Sequence, residues 1–333
     1  MPGRSPSRQR DRALPIVIIS AAAFLLLVGG LIAVIVVAST PSAAQSELDR
    51  PFYVWPDSAA VDAAAAAEPD SPEFAAATYL AERPASIWLL PEEHGLGDVG
   101  PFVASIVDQT SVDGTLPSFV VYGITDRDCG NFSSGGLPPA EYETWVDEIA
   151  LALGTAPAIV ILEPDALGLA PECGDTDARV AEVKRAATAL SETSALVYLD
   201  GGHSSWLPAT EMAELLKDAG VDQTRGFATN VSNYNALADE REYAHELSDL
   251  LGGVHAVIDT SRNGNGSNGE WCNPSGRTVG DEPTAIDDEV VDALLWIKTA
   301  GESDGECNGG PVAGVWWPER AVELTRDAVG SAE

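Results

Sequence analysis

From residue 86 onward, short and almost wholly apolar runs alternate with longer stretches whose apolar residues recur every three or four positions. The short runs predict strands at 86–89, 119–124, 158–162, 196–199, 226–229, 255–258 and 314–316. The periodic stretches predict helices at 99–112, 142–153, 177–192, 209–219, 239–251 and 287–298. Runs such as IVIL and FVVY are nearly all apolar, as strands covered on both faces must be. Strand–helix alternation builds parallel βαβ units, so the expected fold class is α/β with one parallel sheet of about seven strands. The pattern leaves a closed barrel and an open doubly wound sheet both standing.

The first forty residues follow a different pattern. Arg4, Arg8, Arg10 and Arg12 precede an uncharged apolar run at 14–38. As a helix rising about 1.5 Å per residue, that run is roughly 37 Å long, enough to cross a bilayer with some tilt. Arginines on its N-terminal side keep that end in the cytoplasm and send the rest of the chain outside. A signal-peptide core is usually about 7–15 residues, which favours an uncleaved membrane anchor. Ser42-Ala43-Ala44 nevertheless offers a cleavage site, so a cleaved signal and a secreted product are the alternative. The expected organisation is a basic cytoplasmic tail at 1–13, a transmembrane helix or signal segment at 14–38, a polar linker at 39–50 and one large domain at 51–330, working outside the cytoplasm.

Composition adds two constraints. The chain has 52 acidic against 18 basic residues, a formal net charge of −34, which repels phosphate backbones and anionic headgroups. No nucleic-acid partner is expected. The four cysteines, Cys129, Cys173, Cys272 and Cys307, form no C-x-x-C pair, which argues against structural zinc. An even number in an exported chain reads as two disulfides, with three pairings open and buried free thiols as the rival reading.

The acidic residues matter by position. Asp128 follows the strand at 119–124, Asp165 follows 158–162, Asp200 ends 196–199 and Asp259 ends 255–258. In parallel α/β folds, sites form at the C-terminal strand ends. One such Asp is most often a helix cap or turn residue. Four in series, mixed with Tyr, Trp, His and Asn, make a candidate site. Converging carboxylates bind cations, run acid/base chemistry or form ion pairs. His94, His203, His245 and His255 show no paired spacing and no H-E-x-x-H, so no metal is expected, although carboxylate-only sites stay open. Gly264–Gly269 matches G-x-G-x-x-G in letters, but Glu270-Trp271-Cys272-Asn273-Pro274 follows where a pyrophosphate-binding helix should start. No cofactor is expected. Acid/base work needs one carboxyl kept protonated beside others that ionise, which close packing of like charges supplies. Trp88, Trp206 and Trp271 beside the strand-end loops suit stacking on sugar rings, against a bland role in core packing for each alone.

At these residues the sequence resembles glycoside hydrolase family 6, the cellulase family, over roughly residues 51–330. The segments carrying the resemblance, in order, include Asp126-Arg127-Asp128-Cys129, Ile161-Leu162-Glu163-Pro164-Asp165, Tyr198-Leu199-Asp200-Gly201-Gly202-His203, Ala228-Thr229-Asn230, Ile258-Asp259-Thr260-Ser261-Arg262-Asn263-Gly264, Glu270-Trp271-Cys272 and Trp296-Ile297-Lys298 through Asp304-Gly305. The resemblance implies a distorted seven-stranded parallel β/α barrel that hydrolyses β-1,4-glucan with inversion and without metal. It implies Asp165 as general acid, Asp128 as the carboxylate that raises the acid's pKa and Asp304 as candidate base. Tyr122 matches the tyrosine beside the distorted sugar and Ser134 the serine that positions the water. Asp200 matches a substrate-binding carboxylate. Trp88, Trp206 and Trp271 match stacking rings, and His203, Asn230, Lys298 and Glu302 match hydrogen-bonding groups of the cleft. The implied disulfides are Cys129–Cys173 and Cys272–Cys307.

Gly123 and Leu90 stand where some members carry Asp, a departure that touches outer subsites. Exo-acting members roof the cleft with long loops. Here only Gly305 and Glu306 separate Asp304 from Cys307, and Asn308-Gly309-Gly310-Pro311 follows directly. An endoglucanase is therefore expected; separately, the chain is expected to act as a monomer. The alternatives are a cellobiohydrolase-type exoglucanase, a non-catalytic glucan-binding protein and a structural ectodomain. Membrane association through the N-terminal helix is expected if it is not cleaved.

Overall fold

A computed structural model describes residues 43–329, together with residues 1 and 3. The apolar run at 14–38 and the basic tail, apart from residues 1 and 3, lie outside the described residues. Among the described residues, no helix is long and apolar enough to cross a membrane.

Six predicted strands form within three residues of their expected bounds: β1 Ile87–Leu89, β2 Ser118–Val121, β3 Ile159–Leu162, β4 Leu196–Asp200, β5 Gly226–Thr229 and β6 His255–Asp259. Each pairs in parallel with the next. The seventh parallel strand is not 314–316 but β8, Val291–Leu295, inside the stretch expected to be helix at 287–298. The run Val291-Asp292-Ala293-Leu294-Leu295 is too short and too apolar for its period to separate helix from strand. All five residues are buried, so it fits only where both faces are covered. Residues 314–316 contribute only one bridge, Glu302 to Trp316. A two-residue strand, β7 Thr284–Ala285, runs antiparallel to β8 and brings the sheet to eight strands.

The expected distorted seven-stranded barrel takes the form of an open, curled sheet of eight strands in the order β1-β2-β3-β4-β5-β6-β8-β7. No ladder joins β1 to β8 among the described residues. The Ser86 N–H donates to the Trp296 carbonyl at 2.9 Å, and the Trp88 indole donates to the Ile297 carbonyl at 2.9 Å across the seam.

Alternate strand residues feed two cores. Val160 and Leu162 face the helical layer, while Ile159 and Ile161 face inward with Val120, Tyr198, Val257 and Leu295. The helical layer comprises α1 Val99–Asp113, α2 Pro139–Leu153, α3 Thr176–Ser191, α4 Ala209–Asp218 and α5 Leu237–Leu251. Leu80 and Leu324, from helices at Pro72–Ala81 and Pro318–Val329, pack with Trp296 over the seam.

Candidate active site

The C-terminal strand ends bring the predicted residues together on loops of unusual backbone. Asp126, Asp128, Cys129, Glu163, Asp165, Asn230, Ser232 and Asn273 all have left-handed backbone, with φ between 46° and 66°. Each such non-glycine residue costs about 1–3 kcal/mol, and such strain concentrates at functional sites. Two disulfides clamp these loops, with the pairing that the resemblance implied. Cys129–Cys173 ties the residue after Asp128 to the end of the helix Ala166–Cys173, which begins immediately after Asp165. Cys272–Cys307 ties the Trp271 loop to the Asp304 loop.

The four carboxylates differ in charge state. Asp165 donates its main-chain N–H to Asp200 Oδ2 at 3.0 Å, and Gly202 donates to the same oxygen at 3.2 Å. Burial, then the charges of Asp200, Asp128 and Asp304, push the Asp165 carboxyl well above the usual range, which favours its protonated form. Burial raises Asp200 to about 7 against the pull of those two N–H bonds. Burial also raises Asp128, although its carboxylate accepts the Ser133 N–H at 2.8 Å. Asp304 is the exception. Burial opposes its ionisation, but Arg262 at 2.7 Å, Lys298 and the Asn273 N–H at 2.9 Å hold its pKa below the usual range. Tyr234 donates a further bond at 2.8 Å. The site therefore places a carboxyl whose pKa is raised near one whose pKa is lowered.

Tyr122 sits beneath Asp165 and Asp128, whose charges, after burial, push its phenol well above the usual range and keep it a donor. Its ring meets Trp88 edge-on, with centroids 5.2 Å apart. Lys298 lies 5.4 Å from the Trp88 ring and donates to Glu302 at 3.1 Å. A cleft of about 510 Å³ runs along Trp88, Tyr122, Ser134, Lys298 and Glu302. None of the four carboxylates lines it. His203 is kept neutral by burial, which lowers its pKa to about 4, and lies 5.5 Å from the Trp206 ring. Trp271 is 55% exposed and 6.0 Å from Phe132, itself 46% exposed.

Two candidates take quieter places. Asn230 is fully buried; its amide donates to the Asp259 carbonyl at 2.8 Å and accepts the Asn235 N–H at 3.1 Å. Asp259 accepts the N–H groups of Ser261, Ser232, Ile297 and Lys298 at 2.9–3.2 Å, so it knits three loops and faces no cleft. Among the described residues, no group of three or more His, Cys, Asp or Glu side chains is placed to hold a metal ion.

Sequence reasoning missed the supporting groups. Arg127, 4% exposed, holds Glu92 at 3.1 and 3.2 Å and the carbonyls of Ser133 and Tyr122 at 2.8 and 2.7 Å, which pins the Asp128 loop. Arg262 is fully buried behind Asp304. Arg127 stands between Asp126 and Asp128, and Arg262 three positions after Asp259, in a chain poor in basic residues, which is the signal that could have found them. Gly123 is explained by contact: a Cβ there would lie 2.8 Å from the buried Trp145 ring. Gly123→Ala is expected to cost about 1–3 kcal/mol by overpacking. Thermal unfolding checks it; an unchanged midpoint counts against the contact.

Comparison with known proteins gives a consistent result. The sequence model described as Glycosyl hydrolases family 6 matches residues 48–328. Endoglucanase A of Cellulomonas fimi is 47% identical over 73% of this chain and 55% of its own length. Endoglucanase A of Thermobispora bispora is 40% identical over 84% of this chain and 63% of its own. The chain thus spans somewhat over half the length of these curated relatives. The solved structure of the endoglucanase Cel6 from Mycobacterium tuberculosis, in complex with a thio-cellobioside, superposes with a TM-score of 0.81 at 42% identity, covering 85% of this chain and 99% of that one.

Proposed function

Because the chain belongs to glycosyl hydrolase family 6, we propose that it is an endo-β-1,4-glucanase that cleaves cellulose or a related β-glucan with inversion at the anomeric carbon. The observation that carries this reading is the placement of Asp165 at a strand end, with its N–H on Asp200 at 3.0 Å and with Asp128 and Asp304 nearby, where burial and these like charges raise its pKa. Asp165 donates its proton to the glycosidic oxygen as the bond to C1 breaks. A water enters from the opposite face, adds its oxygen to C1 and releases its proton toward the carboxylates. Inverting enzymes hold the two carboxyl groups about 6.5–9.5 Å apart to admit that water. Asp128 raises the acid's pKa and Ser134, exposed on the cleft, orients the water. Asp304 is ionised as a base must be, but Arg262 also makes it weakly basic, which favours relay through water over direct abstraction.

Trp88, Trp206 and Trp271 supply flat apolar faces for pyranose rings. Asp200, His203, Lys298 and Glu302 supply polar contacts, and Asn230 serves as framework beneath them. The two disulfides support an oxidising location outside the cytoplasm. Domain limits of 51–330 for the catalytic part, an anchor or signal at 14–38 and a monomeric state complete the proposal.

Endo action is favoured because the Asp304 loop is short and tied down by Cys272–Cys307. One side chain, Phe132, reaches from the Asp128 loop to Gly305 and toward Trp271, which is a contact between two loops and not a roof. On carboxymethylcellulose, viscosity is expected to fall steeply while few reducing ends have formed. Slow viscosity loss with cellobiose as sole product identifies the exoglucanase instead. Binding of glucan with no product at all identifies a non-catalytic protein.

A further inference from the structure

Glu163 follows the last residue of β3, stands two residues before Asp165 and has no part in the reaction described above. It is 1% exposed, with left-handed backbone at φ 49°. Its main-chain N–H donates to the carbonyl of Val121, the last residue of β2, at 2.9 Å. The ladder between β2 and β3 ends there, at the pair Val121 and Leu162.

Beyond that point the Glu163 side chain takes the ladder's place. Oε1 accepts the Gly123 N–H at 2.9 Å, and Oε2 accepts the Ile124 N–H at 3.2 Å. Those two groups belong to the segment that leaves β2 at Tyr122 and runs to Asp128. Trp145 bounds the same segment at Gly123, so the main chain there is fixed from two directions. Burying a carboxylate is costly: its pKa is pushed up to about 7 by burial even with both N–H bonds made. A carboxylate has an oxygen for each N–H, whereas a glutamine of the same size would turn its own NH₂ toward one of them.

We propose that Glu163 is a positioning residue for glycosidic cleavage, whose side chain sets the strand end carrying Asp165 against the segment carrying Tyr122 and Asp128. The inference rests on the assignment of those three residues to the reaction. It does not require Glu163 to touch the substrate. A group misplaced by about 1 Å can cost about 10²-fold in rate with little effect on binding, so the signature is a split between kcat and KM.

The test is steady-state kinetics on cellopentaose with Glu163→Gln, Glu163→Asp and Asp165→Asn measured beside the unmodified protein, with thermal unfolding of each. The expected result for Glu163→Gln is a kcat lowered about 10- to 100-fold, a KM within about twofold and an unfolding midpoint close to the original. Glu163→Asp keeps the charge but cannot reach both N–H groups, and is expected to fall between. A folded Glu163→Gln with kcat within about twofold of the unmodified enzyme overturns the inference, as does a loss carried by KM alone. If Glu163→Gln does not fold, Glu163→Asp decides by the same criteria. If neither folds, the residue serves folding and the inference falls. Asp165→Asn separates the two levels: full turnover in that variant overturns the acid assignment itself, whereas an inactive Asp165→Asn beside a fully active Glu163→Gln overturns only the role given to Glu163.

Discussion

Asp165→Asn is expected to lower kcat on barley β-glucan by about 10²–10⁴-fold, the usual contribution of a general acid. The amide keeps the shape and the buried surroundings but has no proton to give the leaving oxygen. The same substitution is expected to stabilise the fold at neutral and alkaline pH. The folded-state pKa of Asp165 is raised by burial and by Asp200, Asp128 and Asp304. Above the unfolded carboxylate value of about 3.9, the native state therefore holds a proton that the unfolded chain has released, and stability falls as pH rises. Asparagine removes that penalty. Its gain in unfolding midpoint is expected to be absent near pH 4 and to grow toward pH 8. Reaction rates together with thermal unfolding at the two pH values check both halves. Near-normal turnover sinks the acid assignment, and an equal midpoint shift at both pH values sinks its electrostatic cause.

The strand-end carboxylates were legible in the sequence, while the groups that support them were not. Asp165, Asp128 and Asp200 each follow an apolar run that could only be a buried strand, and the parallel topology aims every such end at one rim. β8 was not legible because Val291–Leu295 is buried on both faces, which removes the alternation that separates a strand from a helix. The open seam was not legible either, because closure depends on two groups, Ser86 N–H and the Trp88 indole, reaching carbonyls more than two hundred positions along the chain. Asp259 shows the limit from the other side. It carries the same sequence signal as Asp200, yet four backbone N–H groups converge on it and leave it no reaction to perform. Those incoming bonds join loops far apart in the chain, so they are a property of the folded loops and not of the local sequence.

Asp304 lies between those cases, and its working state depends on Arg262. The guanidinium is fully buried, donates to Asp304 at 2.7 Å and to the Ser232 carbonyl, and packs 4.4 Å from the Tyr234 ring centroid. Arg262→Ala leaves Asp304 buried without its counter-charge, a change that costs about 3–5 kcal/mol in comparable buried pairs. For a domain of this size the unfolding midpoint is expected to fall by roughly 10 °C. Asp304's pKa should rise as its main counter-charge is lost, so the acid limb of the kcat profile should move to higher pH. The sign of the stability effect follows from the depressed folded pKa of Asp304: its stabilisation is present above the unfolded carboxylate value and is lost as pH falls through the folded value. The gap between Arg262→Ala and the unmodified protein should therefore narrow as pH falls from the raised Asp304 pKa of the variant toward the lowered one of the unmodified protein. Arg262→Lys keeps the charge but loses the two-armed geometry, and should recover part of the midpoint. Removing both partners, in Arg262→Ala with Asp304→Ala, should cost less than the sum of the single losses, because the stranded charge is gone. Thermal unfolding across pH with the four proteins reads all of this. A strictly additive double variant would mean that Arg262 stabilises the loop by packing alone and does not keep Asp304 ionised.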